Sequence, residues 1–252
     1  MRPDKPLTIS VVTATYNRAK TVEQALESVA AQDYPHVEHV IQDGASTDGT
    51  RDILNRHASD KVKVASATDG GIYDAINKGI ARTTGDVIGL MHSDDFFADE
   101  TVLTDVAAAF ADSTVDGVYG DLDYVAEADT TRIIRRWRSG PYVPAKLKQG
   151  WMPPHPTLYL RRRVFDEWGL YDTSFRIAAD YDAMLRYLAK GDITLAYIPK
   201  VLVKMRVGGE SNKSIKKIIQ KSREDYAALQ RNGVGGLRSL AIKNLSKVRQ
   251  FF

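Results

Sequence analysis

The 252-residue chain contains no cysteine. That excludes disulfides, thiolate metal centres and cysteine nucleophiles, and leaves the compartment open. No apolar stretch approaches the ~18 residues that a membrane-spanning helix needs. The opening Met1-Arg-Pro-Asp-Lys-Pro6 runs into a strand-like segment with no signal-peptide hydrophobic region. A cytoplasmic protein is therefore the expectation. There is no internal repeat and no low-complexity linker. Neither a Gly-x4-Gly-Lys-Ser/Thr phosphate loop nor a Gly-x-Gly-x-x-Gly dinucleotide fingerprint occurs. Charge of one sign is also scarce overall, with a formal net of +3.

That small net charge hides an asymmetry. Residues 204–252 hold twelve Lys/Arg against three Asp/Glu, whereas residues 1–203 hold 23 against 29. The pattern reads as an acidic body with a basic tail. A hydrophobic fraction of 43% and a charged fraction of 27% are those of a globular chain long enough for a sizeable core.

The first half alternates strand-like and helix-like segments. Apolar runs at 7–13, 37–41, 61–65 and 86–91 alternate with helical patterns at about 21–31, 50–57, 72–81 and 100–111. Thr21 and Gln24 stand at capping-box spacing. A further strand is expected around Val118–Tyr119, and Tyr124–Arg138 holds one or two extended segments. A loop rich in proline and aromatics spans Pro141 to Pro156, followed by a strand at 157–160, a helix at 179–190 and a strand at 193–198 that stops before Pro199. Two basic helices follow from Lys213, separated by Asn232-Gly-Val-Gly-Gly236. Strand–helix alternation with short connections implies a mainly parallel, Rossmann-like α/β sheet flanked by helices. In such sheets ligands gather where strands end. The polar clusters of the first half lie at those ends.

Asp94-Asp95 follows the fourth strand. Adjacent carboxylates there suit Mg²⁺ or Mn²⁺, with a diphosphate completing the oxygen shell; a solvated turn capping a helix is the other reading. Asp43 ends the second strand within Gln42-Asp-Gly-Ala-Ser-Thr-Asp-Gly-Thr50, where a carboxylate can meet a base N–H or a ribose hydroxyl, or simply form a turn with an N-cap at Thr47 or Asp48. The segment Asp69-Gly-Gly-Ile-Tyr-Asp-Ala-Ile-Asn-Lys-Gly79 lets backbone approach a ligand and presents Asp74, Asn77 and Lys78.

Together with Val11-Val-Thr-Ala-Thr-Tyr-Asn-Arg18, His92-Ser-Asp-Asp95 and Ala178-Ala-Asp-Tyr-Asp182, these segments resemble the family 2 glycosyltransferases of the nucleotide-diphospho-sugar transferase, or glycosyltransferase-A, fold over about residues 7–210. The resemblance implies residue roles. Tyr16 flanks the nucleotide base, with Thr13 or Thr15 close by. Asp43 binds base or ribose, Asp69, Asn77 and Lys78 join the donor set, Asp94 reaches the ribose or sugar, and Asp95 is the metal ligand. Asp180 falls at the catalytic base. Where the family commonly has Glu-Asp, this chain has Ala179-Asp180, which removes a carboxylate used toward the acceptor. Asp182 would point away from Asp180 on a helix and is expected to be structural.

Other features carry two readings each. Asp121-Leu-Asp123 is a literal Asp-x-Asp whose carboxylates share a strand face; Asp95 is preferred for the metal, and Asp121 is expected to line the acceptor side. His155, after Trp151 in the proline-rich loop, suits a third metal ligand, an acceptor contact or a packed histidine. Arg161-Arg-Arg163 suits phosphate or solvent. Gly208-Gly-Glu-Ser211 suits a loop closing over the diphosphate, with Lys204 and Arg206 nearby, or a plain turn. The tail places Ile215, Ile218, Ile219 and Tyr226 among lysines and Arg223, which suits an anionic membrane surface or packing on the body. No nucleic-acid-binding module accompanies the basic residues.

The expectation is thus a metal-dependent inverting transferase, catalytic over 1–211, with a nucleotide half to about 120, an acceptor half over 121–211, and a basic helical extension at 212–252. It moves a sugar from a nucleotide-diphosphate donor, a UDP-sugar by family frequency, to a glycan or lipid-linked glycan, for polysaccharide or glycolipid synthesis. Its place is the cytoplasm, with the inner membrane face open to the tail. A nucleotidyltransferase that makes the sugar nucleotide and a non-catalytic sugar-nucleotide-binding protein are the rivals.

Overall fold

The computed structural model describes residues 6–207 and 215–246. The glycine segment 208–211 and Lys213 lie outside the described residues, as does the side chain of Lys216.

Four strands, β1 (Ile9–Thr15), β2 (Val37–Asp43), β3 (Val62–Ser66) and β4 (Val87–Leu90), run parallel in the order β3-β2-β1-β4. Every residue of β1 is buried, which is why its sequence is nearly continuous in apolar and β-branched residues rather than alternating. The crossovers are helices α1 (Val22–Ala30), α2 (Thr50–His57) and α3 (Ile72–Ala81). Glycine inside α3 has a packing reason. A Cβ at Gly79 would lie 2.5 Å from Val12 Cγ1, so the helix could not seat on β1.

After β4 the chain forms β5 (Phe96–Phe97), α4 (Val102–Ala109), β6 (Gly117–Val125), β7 (Ile133–Trp137), β8 (Tyr159–Arg161), α5 (Arg162–Trp168), α6 (Ala179–Leu185), β9 (Leu195–Arg206), α7 (Ile215–Arg231) and α8 (Leu237–Ser246). The nine-stranded sheet continues β4-β8-β6-β9-β5, with β7 on β6. Strand β8 is antiparallel to β4 and β6, β6 and β9 are parallel, and β5 and β7 are antiparallel additions. The sheet is therefore parallel in its first half and mixed in its second.

Side chains alternate between the two faces. Val12 and Ala14 join a core with α3 and α6; Ile9 and Val11 join the opposite core with α1 and α4. Two boundaries differ from the sequence expectation. Strand β9 passes through Pro199, because the β6–β9 register jumps from Tyr119–Tyr197 to Asp121–Val201 and the proline sits in that irregularity, where no ladder hydrogen bond is required. Helix α6 widens after Leu185 into a π turn at Arg186–Lys190.

The capping box at Thr21 does not form. The Thr21 hydroxyl donates to the Ser93 carbonyl at 2.9 Å, and the Gln24 side chain accepts from Arg206. The first ties α1 to the turn after β4, the second to the end of β9.

Candidate active site

A cleft of about 1620 Å³ opens beyond the carboxyl ends of β1 and β4 and is bounded on the far side by β7, α6, α7 and α8. Its lining includes Thr15, Tyr16, Asp69, Asp94, Asp95, His155, Asp180 and Arg206. The topology thus brings eight of the sequence-selected residues together.

The donor-side wall is built from three loops. Asn17 adopts a left-handed backbone (φ 52°); its N–H donates to Ser46 Oγ at 2.8 Å, and its Oδ1 accepts from the Thr47 N–H at 2.9 Å. This lashes the loop after β1 to the loop after β2. Tyr16 stays 59% exposed, as a ring offered to a planar ligand would be. A Cβ at Gly44 would meet Asp69 Oδ2 at 2.6 Å and Tyr16 Cδ2 at 3.3 Å, so only glycine lets these two converge. The Thr15 hydroxyl is buried and unpartnered.

Four other candidates are occupied by the fold. Thr13 Oγ1 pairs with His39 Nε2 at 2.8 Å within the sheet, so Thr15 is the threonine that faces the cleft. Asn77 accepts from and donates to the Tyr171 main chain, at 3.0 and 2.8 Å. Lys78 pairs with Asp74 at 2.9 Å and donates to the Thr68 carbonyl at 3.2 Å, closing its own turn. Asp43 is fully buried and accepts from the Ser46 N–H, Ser46 Oγ and Ser66 Oγ at 3.0, 2.5 and 2.6 Å. A base or ribose would have to exchange for one of those bonds.

The acidic pair sits in the turn after β4. Asp95 is 1% exposed; its Oδ1 accepts from the Arg206 N–H at 3.1 Å, and its Oδ2 is buried with no partner. Burial, then the neighbouring Asp94 charge, pushes the Asp95 carboxyl well above the ordinary range. An orphaned buried carboxylate oxygen beside a second carboxylate fits a hard cation. Among the described residues no group of three or more His, Asp or Glu forms a cage, so oxygens from substrate would complete such a shell. Arg206, a candidate for a diphosphate or acceptor contact, lines the cleft and is tied to the acidic turn. Its guanidinium donates to the Asp94 carbonyl at 2.5 Å and to Gln24, over the Phe96 ring at 5.1 Å.

Asp180 stands in the first turn of α6. Tyr73 Oη lies 2.8 Å from the Ile177 carbonyl and 3.2 Å from Asp180 Oδ1. His155 Nδ1 lies 4.0 Å from Asp180 Oδ2, and its Nε2 pairs with Tyr171 Oη at 2.8 Å. His155 therefore faces Asp180, with His92 5.8 Å away ring to ring. Burial lowers the His155 pKa to about 4, so it is neutral at pH 7. Burial raises Asp180, but the facing His155, Lys221 and Lys243 outweigh it and keep the carboxyl below its ordinary value. Asp180 is ionised at neutral pH and can accept a proton.

The Asp-x-Asp of β6 is closed. Asp121 accepts from the Ser139 N–H at 2.8 Å and Tyr197 Oη at 2.9 Å, while Arg138 pairs with Asp123 at 2.7 Å and approaches Asp121 at 3.7 Å. Asp121, the candidate for the acceptor side, is thus hydrogen-bonded within the fold. Arg161 and Arg162 bind main-chain carbonyls and Arg163 pairs with Asp116. Asp182 is buried against Asn232 at 2.9 Å.

The description "Glycosyl transferase family 2" matches residues 10–177. The chain belongs to that family. This family 2 glycosyltransferase is 30% identical over 217 residues to the PGL/p-HBAD biosynthesis glycosyltransferase of Mycobacterium bovis (strain BCG / Pasteur 1173P2), covering 82% of this chain and 80% of the relative. It is 33% identical over 184 residues to an uncharacterized glycosyltransferase of Nostoc sp., covering 68% and 56%. Its fold matches S. aureus TarS 1-349 in complex with UDP-GlcNAc with a TM-score of 0.71 at 20% identity, covering 90% of this chain and 66% of that one. The chain spans 40% of a longer TarS chain. It also matches the mannosyltransferase PcManGT of Pyrobaculum calidifontis, in complex with GDP-Man and Mn²⁺, with a TM-score of 0.63 at 17% identity, covering 98% and 81%.

Tyr73, His92, Gly44 and Glu224 were not singled out from the sequence. Tyr73 lies inside the Asp69–Gly79 segment, His92 opens His92-Ser-Asp-Asp95 and Gly44 follows Asp43; Glu224, on α7, gives no local signal.

Proposed function

We propose that this family 2 glycosyltransferase moves a sugar from a nucleotide-diphosphate donor to a hydroxyl of a glycan or lipid-linked glycan, with inversion and with a divalent metal. The observation that carries the reading is the shared cleft of the ionised Asp180 and the Asp94-Asp95 turn with its orphaned Asp95 Oδ2.

In this reading Tyr16 and Thr15 hold the nucleotide, Asp69 and Asp94 face the ribose or sugar, and Asp95 holds Mn²⁺ or Mg²⁺. The metal, when bound, neutralises charge on the departing diphosphate. Asp180 accepts the proton of the acceptor hydroxyl as that oxygen attacks the anomeric carbon from the face opposite the leaving group, which inverts the centre. Neutral His155 and Tyr73 orient Asp180. The UDP-GlcNAc of the TarS complex supports a UDP-sugar, and the Mn²⁺ of PcManGT supports the metal.

Among the described residues no helix is long and apolar enough to cross a membrane. A cytoplasmic enzyme with peripheral contact at the inner membrane face, through its basic C-terminal segment, is the location proposed. The nucleotidyltransferase alternative is disfavoured because Thr13–Arg18 has no glycine to cradle a triphosphate.

The test is transfer or hydrolysis from a panel of sugar nucleotides with Mn²⁺. Asp180→Asn should lower turnover by about 10²–10⁴-fold with donor affinity retained; full turnover in that variant would remove Asp180 as the base and favour a different role for the cleft.

A further inference from the structure

Four large apolar side chains that stand in solvent also line this one cleft. Ile72 is 49% exposed, Ile134 42%, Val207 43% and Leu245 69%. Residues that are both exposed and cleft-lining stand at its mouth. They come from α3, β7, the end of β9 and α8, so no run of sequence announces them. Single exposed apolar residues are ordinary, but convergence of four on the opening of a catalytic cleft is not.

Cations share that opening. Arg138 and Arg176 are exposed on the same lining, whereas each Asp there is half-buried or buried. The mouth is therefore apolar and positive. This is the combination that seats a surface in the headgroup region of an anionic bilayer, apolar side chains entering the acyl boundary and cations meeting phosphates.

We propose that the mouth of the cleft docks on an anionic lipid bilayer, so that the acceptor passes from the membrane surface into the cleft without crossing water. The inference rests on the lipid-linked-acceptor reading and moves the contact from the tail as a whole to the two lips of the cleft. Strand β7 supplies one lip and α8 with the cleft side of α7 the other.

The experiment is co-sedimentation of the full chain with phosphatidylcholine vesicles and with vesicles that also contain phosphatidylglycerol. Three proteins are compared: wild type, Ile134→Ser/Leu245→Ser at the mouth, and Ile218→Ser/Ile219→Ser. The last pair is about half exposed on α7 and lies off the cleft lining. Wild type should bind the anionic vesicles only, the mouth variant about tenfold or more weakly, and the α7 variant within about twofold of wild type. Absence of wild-type binding, equal binding by the mouth variant, or loss confined to the α7 variant would overturn the proposal. So would a shift of oligomeric state in the mouth variant without vesicle binding by wild type, which would assign the mouth to a second copy. Circular dichroism checks that each variant is folded. Donor hydrolysis by wild type without vesicles reports the transferase reading separately, so the two can fail independently.

Discussion

Glu224 Oε2, on α7, accepts the main-chain N–H groups of Ile177 at 2.7 Å and Ala178 at 3.0 Å. Those donors open the helix that carries Asp180. Helix N-termini leave such groups without intrahelical partners, and here a carboxylate from the C-terminal extension supplies them. Lys221 and Lys243 from the same extension face Asp180. The extension is thus part of the wall that positions Asp180.

Glu224→Ala should cost roughly 1–2 kcal/mol of stability, the range for a lost helix cap. Because α6 then loosens at its first turn, kcat should fall more than donor KM rises. Thermal unfolding and steady-state kinetics read the two effects. Glu224→Gln, which keeps an acceptor oxygen, should recover most of both.

Asp95→Asn keeps the size of the buried side chain and removes the carboxylate that would hold a metal through its orphaned Oδ2. Mn²⁺ should raise the melting temperature of wild type, by the equivalent of about 2.7 kcal/mol at a hundredfold excess over its dissociation constant. The same addition should leave Asp95→Asn unshifted. Chelation should stop wild-type transfer and re-addition of Mn²⁺ restore it. An equal thermal shift in both proteins would place the metal elsewhere.

Arg206→Lys should loosen the acidic turn. One ammonium cannot bridge the Asp94 carbonyl and Gln24 as the planar guanidinium does. A stability loss of about 1–2 kcal/mol is expected, with weaker Mn²⁺ binding measured by titration calorimetry. Unchanged metal affinity would show that the turn holds without the clamp.

Acid should destabilise the sheet in two windows. Burial, then His57, depresses His39 to about 3. The unfolded chain therefore takes a proton near pH 6.5 that the folded chain refuses, and stability falls as pH drops below 6.5. Burial opposes ionisation of Glu38, but Lys63, Ser10 and Thr84 prevail and hold it at about 2. Its contribution is present above pH 4.5 and lost as pH falls toward 2, about 3 kcal/mol in all. Glu38→Gln should flatten the lower window in urea unfolding and leave the upper one unchanged.

Much of the donor side was legible along the chain because its residues are local to strand ends. The apolar run of β1, the turn residues after β2 and the Asp94-Asp95 exit each follow from short-range pattern, and parallel topology puts strand ends together. Thr13, Asn77, Asp121 and Arg206 are polar residues near the site that hydrogen-bond to partners distant in the chain, His39, Tyr171, Tyr197 and Gln24, while Lys78 closes its own turn through Asp74 and Thr68. Pattern records which groups are present and not which are already satisfied.

The sequence by itself determined the strand-end clusters, because strand periodicity and turn chemistry are short-range, and its resemblance to the family singled out Asp180. Only the tertiary structure decided which carboxylates stay available. Asp95 Oδ2 is orphaned while Asp121, Asp123 and Asp43 are closed. It also made the basic tail a wall of the cleft, since Glu224 reaches Ala178 from 46 positions away. Burial and pairing are properties of surfaces brought together, and no single segment encodes them.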